Sequence, residues 1–351
     1  MVKVKNVKYS ETSFTSKDTN FLKCMEYAKA INPDISIFAP KHPKETVSFE
    51  ITEANSAIAN CIRRYLIDEI PSYSMNLTEE DIITDDRYIL SDFLKKNIEL
   101  IQFSQNITDD DAKDITLSLN VENNTDDTIK VYAKDFVITK QNKKLDISDY
   151  VTTTISFIKL RSGKKLEINN ITIVKGIGKH NSGKFSPLAN ITYKIMDIDP
   201  LNETKYSKTG ESSLNSNPEH FKIEITTHRN RPVKKIMPLC CDLIAETITR
   251  IINDLKNIKE ETKIYFSDVI TLETKGNIKF FHLKGEYWTI SNLISRYCFI
   301  SDKTVPFVCS SVNHPLTEES TVKIRHTSSI ELINSALKLI LTDIAAIKKA
   351  F

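Results

Sequence analysis

Glycine is scarce in this 351-residue chain, with seven in all, alongside one tryptophan and six cysteines. Glycine-rich loops that cradle phosphates through backbone amides therefore have few places to occur. Cys24, Cys61, Cys240, Cys241, Cys298 and Cys309 form no C-x-x-C pair, and the seven histidines are equally dispersed. Neither a disulfide framework nor a clustered metal site is expected, and a reducing compartment suits the pattern. A dominant charge is missing too, since 48 basic and 46 acidic side chains leave a net +2. Nothing global then draws the chain to nucleic acid or anionic lipid, and such contacts are left to local patches. No apolar run approaches a bilayer-spanning length, and the N-terminal MVKVKNVKYSETS has no signal-peptide core. No membrane contact is expected, and the chain should stay where it is made.

What is present reads as a globular protein of two or more domains, 40% hydrophobic and 27% charged. Residues 2–9 alternate as a strand, 16–31 suit a short helix, and 32–45 form a loop with three prolines. A strand over Thr46–Ile51 enters a helix over 53–70 on which Ala54, Ala57, Ile58, Cys61, Ile62, Tyr65 and Leu66 make one apolar stripe. Thr52 is the expected N-cap and Pro71 the stop. From 72 to about 174 the runs ITLSLNV, TIKVYAKDFVI and LEINNITIV are separated by Asn/Asp clusters, with one helical segment near 90–97. That is a mostly β module. A polar tract over 197–218 reads as loop.

Beyond it come a strand over 220–227 and a helix over 237–258, with Pro238 in its first turn and Ile244, Ile248, Ile251, Ile252, Leu255 and Ile258 inward. After a charged connector (257–263), strands KIYFSDVITLE and NIKFFHLK precede a helix near 289–300. Strands TVPFVCSSV and STVKIRHT precede a terminal helix from Ile330, with Ser328 and Glu331 in capping-box spacing and Ile333, Leu337 and Ile340 on its apolar face. Strand, helix, strand and long helix thus occur twice. Broad apolar stripes on thin sheets must be covered, and the two halves covering each other, as an intramolecular pseudo-dimer, is the economical solution.

The stretch KGIGKHNSGKFSPLA (175–189) contains G-x-x-x-x-G-K, the core of a phosphate-binding loop. Its flanks argue against a nucleotide site. Phe185 stands where a Ser or Thr should ligate magnesium, Pro187 disfavours helix at Ser186, and LANITYKIMDI beyond is β-like. A connection between strands, with its lysines in solvent, is the plainer expectation.

The helix segment EANSAIANCIRRYLIDEIPSYSM (53–75) resembles the assembly helix of the α-like subunits of cellular RNA polymerases, through Asn60, Arg63-Arg64, Leu66-Ile67 and Glu69-Ile70-Pro71. Further similar segments follow in order: RYILSDFLKKNIELIQF (87–103), KVYAKDF (130–136), IKLRSGKKLEINNITIVKGIGKHNSGKFSPLA (158–189) and NPEHFKIEITT (217–227). The C-terminal part is similar to the eleventh-subunit or archaeal L type, through EYWTISNLI (286–294) and VPFVCSSVNHPLTEESTVKIRHTSS (305–329). Ser291 departs from the glycine usual there, and the cysteine cluster of some third-type subunits is missing.

The resemblance implies an α+β fold of two α-subunit-like dimerisation halves. The third-subunit-like half occupies 1–71 and 190–258, interrupted by a β-rich insertion over 72–189, and the eleventh-subunit-like half occupies 259–351. Such a fusion is associated with large cytoplasmic DNA viruses. It implies a non-catalytic assembly platform of a DNA-directed RNA polymerase, located in host cytoplasm and virion if viral, and otherwise in nucleus or cytoplasm. Implied partners are the second-largest (β-like) and largest (β′-like) subunits and small polymerase subunits. No dimerisation partner is needed, and DNA or RNA is met only indirectly. No cofactor is implied for this chain, and the magnesium belongs to other subunits.

Implied large-subunit contacts are Asn60, Arg63 and Arg64, with Lys175, Lys179, Lys184 and Phe185 as a second surface. The competing readings are a solvated arginine face with Arg64 pairing Asp68 at i,i+4, and Phe185 as an internal anchor. The pseudo-dimer core is assigned to Ile58, Ile62, Leu66, Ile248, Ile251, Leu255, Leu293, Ile294, Ile333, Leu337 and Ile340. The lysine-rich 161–165 and 228–235 runs are either solvated or touch nucleic acid electrostatically. A nucleotide-binding enzyme and a scaffold unrelated to transcription remain as rival classes.

Overall fold

The computed structural model describes residues 2–12, 44–101, 103, 107–141, 143–151, 155–196, 219–228, 232–285, 288–314 and 316–351. The helix expected over 16–31, most of the proline loop after it and the 197–218 tract lie outside the described residues. The first sheet is antiparallel and contains β1 (Lys3–Thr12), β2 (Lys44–Thr52), β11 (Leu188–Ile195) and β12 (Phe221–His228), in the order β1-β2-β12-β11. Strict alternation gives it one apolar face. Val47, Phe49 and Ile51 lie beside Ile225, Ile223 and Phe221 in register, all buried. Helices α1 (Ser56–Asp68) and α5 (Val233–Leu255) belong to this part of the chain.

Between β2 and β11 the chain builds a second unit. It contains β3 (Ser72–Asn76), β4 (Ile82–Thr84), α2 (Ser91–Glu99), α3 (Asp109–Asp114), β5 (Ile115–Glu122), β6 (Ile129–Tyr132), β7 (Val137–Lys140), β8 (Lys143–Leu145), β9 (Ser156–Leu160), β10 (Lys165–Gly176) and the short α4 (Ser182–Phe185). Its sheet runs β3-β10-β5-β7-β8 with β4 also on β10, while β6 pairs β9. The run TIKVYAKDFVI forms two strands. The chain turns at Ala133–Asp135, where Asp135 accepts the Tyr132 amide at 2.7 Å. This unit has its own apolar core, from Met75 to Ile173.

Asp111 secures one edge of that unit. It accepts the Lys140 ammonium at 2.6 Å and the Thr108 hydroxyl at 2.8 Å, and these bonds, that to Lys140 foremost, hold its carboxyl down at about 2. A depressed folded-state value stabilises above the unfolded pKa and is lost as pH falls through the folded one. Asp111→Asn is therefore expected to unfold in less urea than the unaltered chain at neutral pH, with the difference closing between about pH 4 and pH 2. A gap that persists undiminished in acid would show that the role is not electrostatic.

The last part contains β13 (Ile264–Phe266), β14 (Ile270–Lys275), β15 (Ile278–Lys284), α6 (Trp288–Ser301), β16 (Phe307–Ser311), β17 (Glu319–Arg325) and α7 (Ser329–Lys348). Its antiparallel sheet runs β13-β14-β15-β17-β16. KIYFSDVITLE is a hairpin, because the Ser267 hydroxyl takes the Val269 and Ile270 amides at 3.1 and 2.8 Å and turns the chain.

One apolar cluster joins the first and last parts. Helix α1 packs on α5 and α6, while α7 packs on α5 and α6. All eleven residues expected in a shared core are in this cluster and essentially inaccessible. A polar contact also ties the parts together: Asp343, which accepts the Tyr297 hydroxyl at 2.7 Å, accepts the Val2 amide at 2.9 Å. Phe49 meets Phe351 edge-on at 4.9 Å. No helix among the described residues is long and apolar enough to cross a membrane.

Two helix starts differ from expectation. Helix α5 begins at Val233, a turn early, so Pro238 lies inside it and cannot donate to the carbonyl four residues back. Burial of Val233, Ile236 and Met237 outweighs that loss, and Glu45 accepts the Val233 amide at 3.2 Å. At α7, the Ser328 side chain makes no capping bond. Glu260 supplies the cap, accepting the Ile330 and Glu331 amides at 2.6 and 3.2 Å, and is itself held by Lys279 at 2.5 Å. A carboxylate at a helix N-terminus suits the dipole better than a hydroxyl does.

Candidate functional site

The site centres on α1. Thr52 stays in the strand, so it does not cap the helix as the sequence suggested. Glu53 turns the chain at φ 56°, and Asn55 becomes the N-cap, its Oδ1 accepting the Ile58 amide at 3.0 Å. From there the stripe Ala57, Ile58, Cys61, Ile62, Tyr65 and Leu66 is buried. Half-buried Asn60 and Arg63 and exposed Arg64 are left off that stripe, while Ile67 packs against the edge of the core. The Asn60 Oδ1 accepts two bonds from Arg63, from Nε at 3.2 Å and the terminal nitrogen at 3.0 Å. Arg64 is exposed and bridges to Asp68 at 2.8 Å, the i,i+4 pairing. Both guanidiniums are thus braced along one helix face.

The C-terminal end of α1 meets the 175–189 connection. Gly178 lies so close that a Cβ there would sit 2.1 Å from the Ile67 carbonyl oxygen, so a larger residue would drive the two backbones apart. The next amide, that of Lys179, donates to the Asp68 carbonyl at 2.8 Å and satisfies an orphan acceptor at the helix end. The Lys179 ammonium reaches across to the last part of the chain, donating to the Gly285 carbonyl at 3.0 Å and to Glu318 at 3.2 Å. Beside it, burial pushes the Glu69 carboxyl above its ordinary value, with Lys179 opposing that shift. The connection is a three-way joint between α1, the β-rich unit and the last sheet.

The rest of the connection is committed internally as well. Asn181 caps α4, taking the Lys184 amide at 3.1 Å, and the Ser72 hydroxyl donates to the Phe185 carbonyl. The Phe185 ring is buried over Gly176, where a Cβ would sit 2.5 Å from it. The Lys184 ammonium, 10% exposed, pairs with Glu99 at 2.9 Å. Lys175 alone of the three lysines stays on the outside, paired with Asp109 at 2.8 Å. The expectation of a connection with its lysines in solvent is therefore corrected for Lys179 and Lys184, because each meets a carboxylate or carbonyl the fold brings within reach. A phosphate loop would need the Lys184 ammonium and nearby amides, and these groups are already bonded elsewhere. α4 is also only four residues long and gives no helix to hold a phosphate.

In the 161–165 run each cation has a carboxylate: Arg161 with Asp86 at 2.6 Å, Lys164 with Asp85 at 3.8 Å and Lys165 with Glu167 at 3.1 Å. In the 228–235 run, residues 229–231 lie outside the described residues, and the Lys234 ammonium stands 4.9 Å from the centre of the Tyr9 ring. Among the described residues no group of three His, Cys, Asp or Glu is placed to hold a metal. Two features escaped the sequence reading. The Asn55 cap was signalled by its position just before the apolar stripe, whereas nothing local pointed to Lys179 as a tie to Gly285 and Glu318.

The site thus comprises a helix with one buried face, arginines braced along its other side and a connection docked at its end. Comparison with known proteins places the chain beside a specific subunit class. It is 25% identical over 189 residues to DNA-directed RNA polymerase II subunit rpb3 of Dictyostelium discoideum, covering 49% of this chain and 61% of that protein. With the Schizosaccharomyces pombe RNA polymerase II subunit RPB3 it shares 24% over 184 residues, 46% of this chain and 60% of the other. The subunit 3 of RNA polymerases II, IV and V from Arabidopsis thaliana is 28% identical over 180 residues, 44% of this chain and 55% of that protein. The chain thus spans under two thirds of the length of the curated relatives it matches. No protein-family model matches it.

Proposed function

We propose that this chain is a non-catalytic assembly-platform subunit of a DNA-directed RNA polymerase, a subunit 3-like half fused to an eleventh-subunit-like half. The first half is 1–71 with 190–258, the β-rich insertion is 72–189, and the second half is 259–351. The two halves pair within one chain as a pseudo-dimer. The observation that carries this reading is the single apolar cluster in which α1, α5, α6 and α7 meet, drawing on both parts of the chain. Similarity to subunit 3 proteins of three eukaryotes supports the polymerase assignment. Fusion makes pairing intramolecular, with an effective concentration of roughly millimolar order for a short connector.

In this role the braced face of α1, with Asn60, Arg63 and Arg64, engages the second-largest subunit. Planar guanidiniums can grip carboxylates and carbonyls through two bonds at once. Lys175 lies at the accessible end of the connection, where the largest or second-largest subunit adds to the contact, while Lys179, Lys184 and Phe185 hold that surface in shape from within. Nucleotidyl transfer and its magnesium belong to the large subunits, and DNA and RNA are met only through them. The fused arrangement fits a large cytoplasmic DNA virus, with the protein in host cytoplasm and virion.

Co-expression with the two large subunits of the same polymerase tests the proposal. A complex that survives size-exclusion chromatography is the expected result. Failure of the folded chain to associate with either large subunit would overturn it.

A further inference from the structure

A cavity of about 560 Å³ opens at the edge of the last sheet, between the β14–β15 turn, the segment before β16 and the end of β17. Three of its nine lining residues are basic, Lys279, Arg325 and His326, and none is acidic. Two carboxylates outside the lining hold two of these basic groups. Glu260 holds Lys279 at 2.5 Å while capping α7, and Asp302 lies 3.4 Å from the His326 Nε2. His326 is fixed on its other side as well, since its Nδ1 accepts the Ser328 amide at 3.1 Å.

Arg325 differs from its neighbours. Among the described residues its side chain makes no hydrogen bond, ion pair or ring contact. An uncompensated guanidinium facing a cavity without carboxylates is a ready partner for two oxygens of an oxyanion. Thr327 and the Gly276–Asn277 turn add polar groups to the same wall. The volume exceeds what a bare phosphate fills and lies in the range of small-ligand sites. The α7 amides take no part, because Glu260 already occupies them.

We infer that this cavity binds the phosphate group of a small molecule of mononucleotide size, with Arg325 as the anchoring cation. The site is separate from the α1 surface and does not depend on the polymerase assignment. Lys279 and His326 are screened by their carboxylates and shape the wall more than they attract the ligand, so binding rests on Arg325.

The experiment is titration of the full chain with inorganic phosphate, AMP and adenosine, followed through the backbone amide resonances of Gly276, Asn277 and Thr327. Saturable shifts with phosphate and AMP, and none with adenosine, are expected. Tighter binding of AMP than of phosphate would assign a nucleotide, and equal binding would assign the phosphate group alone. Arg325→Gln should weaken both by about tenfold or more, the loss of one charge-assisted contact. The residue is exposed, and an unchanged thermal transition will show that the variant is folded. Absence of saturable shifts at millimolar ligand, or equal affinity in the folded variant, would overturn the site.

Discussion

Leu337→Ala is expected to destabilise the chain by about 2–5 kcal/mol, and to do so in only one of its two cores. Leu337 is fully buried on α7, in the cluster that joins the first and last parts of the chain. Truncation removes its transfer free energy and leaves a cavity between helices that pack from both sides, so the surroundings can collapse only partly. The β-rich unit has a separate cluster that shares none of these residues. Hydrogen exchange should therefore speed up in 233–255 and 288–348 and stay unchanged in 115–122 and 165–173. Leu339, on the same helix but 41% exposed, is the control, and its alanine variant should cost no more than about 0.5 kcal/mol. Equal acceleration in both regions would mean that the two clusters unfold as one unit.

The second large effect concerns assembly. Arg63→Ala combined with Arg64→Ala is expected to abolish recovery of the co-expressed complex while barely changing the stability of the isolated chain. On the stability side only the Arg64–Asp68 bridge and the Arg63–Asn60 bonds are lost. An exposed i,i+4 pair contributes about 0.3–0.5 kcal/mol. On the binding side, these guanidiniums stand on a helix whose opposite face is locked in a core, so little freedom remains to be lost on docking. Interface arginines of this kind are worth about 2 kcal/mol or more each, and two together would weaken binding on the order of a hundredfold or more. Asp68→Ala, which releases Arg64 without removing it, should weaken the complex far less. Full recovery with the double variant would move the contact away from this face of α1.

Much of the fold could be read locally. The stripe from Ala54 to Leu66, the alternation of Val47, Phe49 and Ile51, and the repeated isoleucines of α7 are periodic, and period alone distinguishes helix from strand. Periodicity puts the paired arginines on the polar side of that stripe, but only the resemblance of their helix to a family segment singles them out as contacts. Where the reading failed, a local rule competed with something distant. Thr52 and Ser328 had capping spacing, but strand pairing kept the first and the Glu260 carboxylate displaced the second. Pro238 had the position of a helix start, but burial of Val233 and Met237 carried the helix past it.

The 175–189 connection divides along the same line. Phe185, Pro187 and the β pattern beyond them sufficed, from sequence alone, to argue against a phosphate loop, because those tests involve only neighbours in the chain. The reason for Gly178, and for Lys179 and Lys184 being held inward, lay elsewhere. Gly178 is required by a helix end more than a hundred residues before it, and Lys179 by a turn and a glutamate more than a hundred residues after it. Periodicity and capping spacing are properties of adjacent residues and are written in order. The close approach of two backbones, and the partner a buried ammonium finds, exist only once the sheets have brought distant segments together.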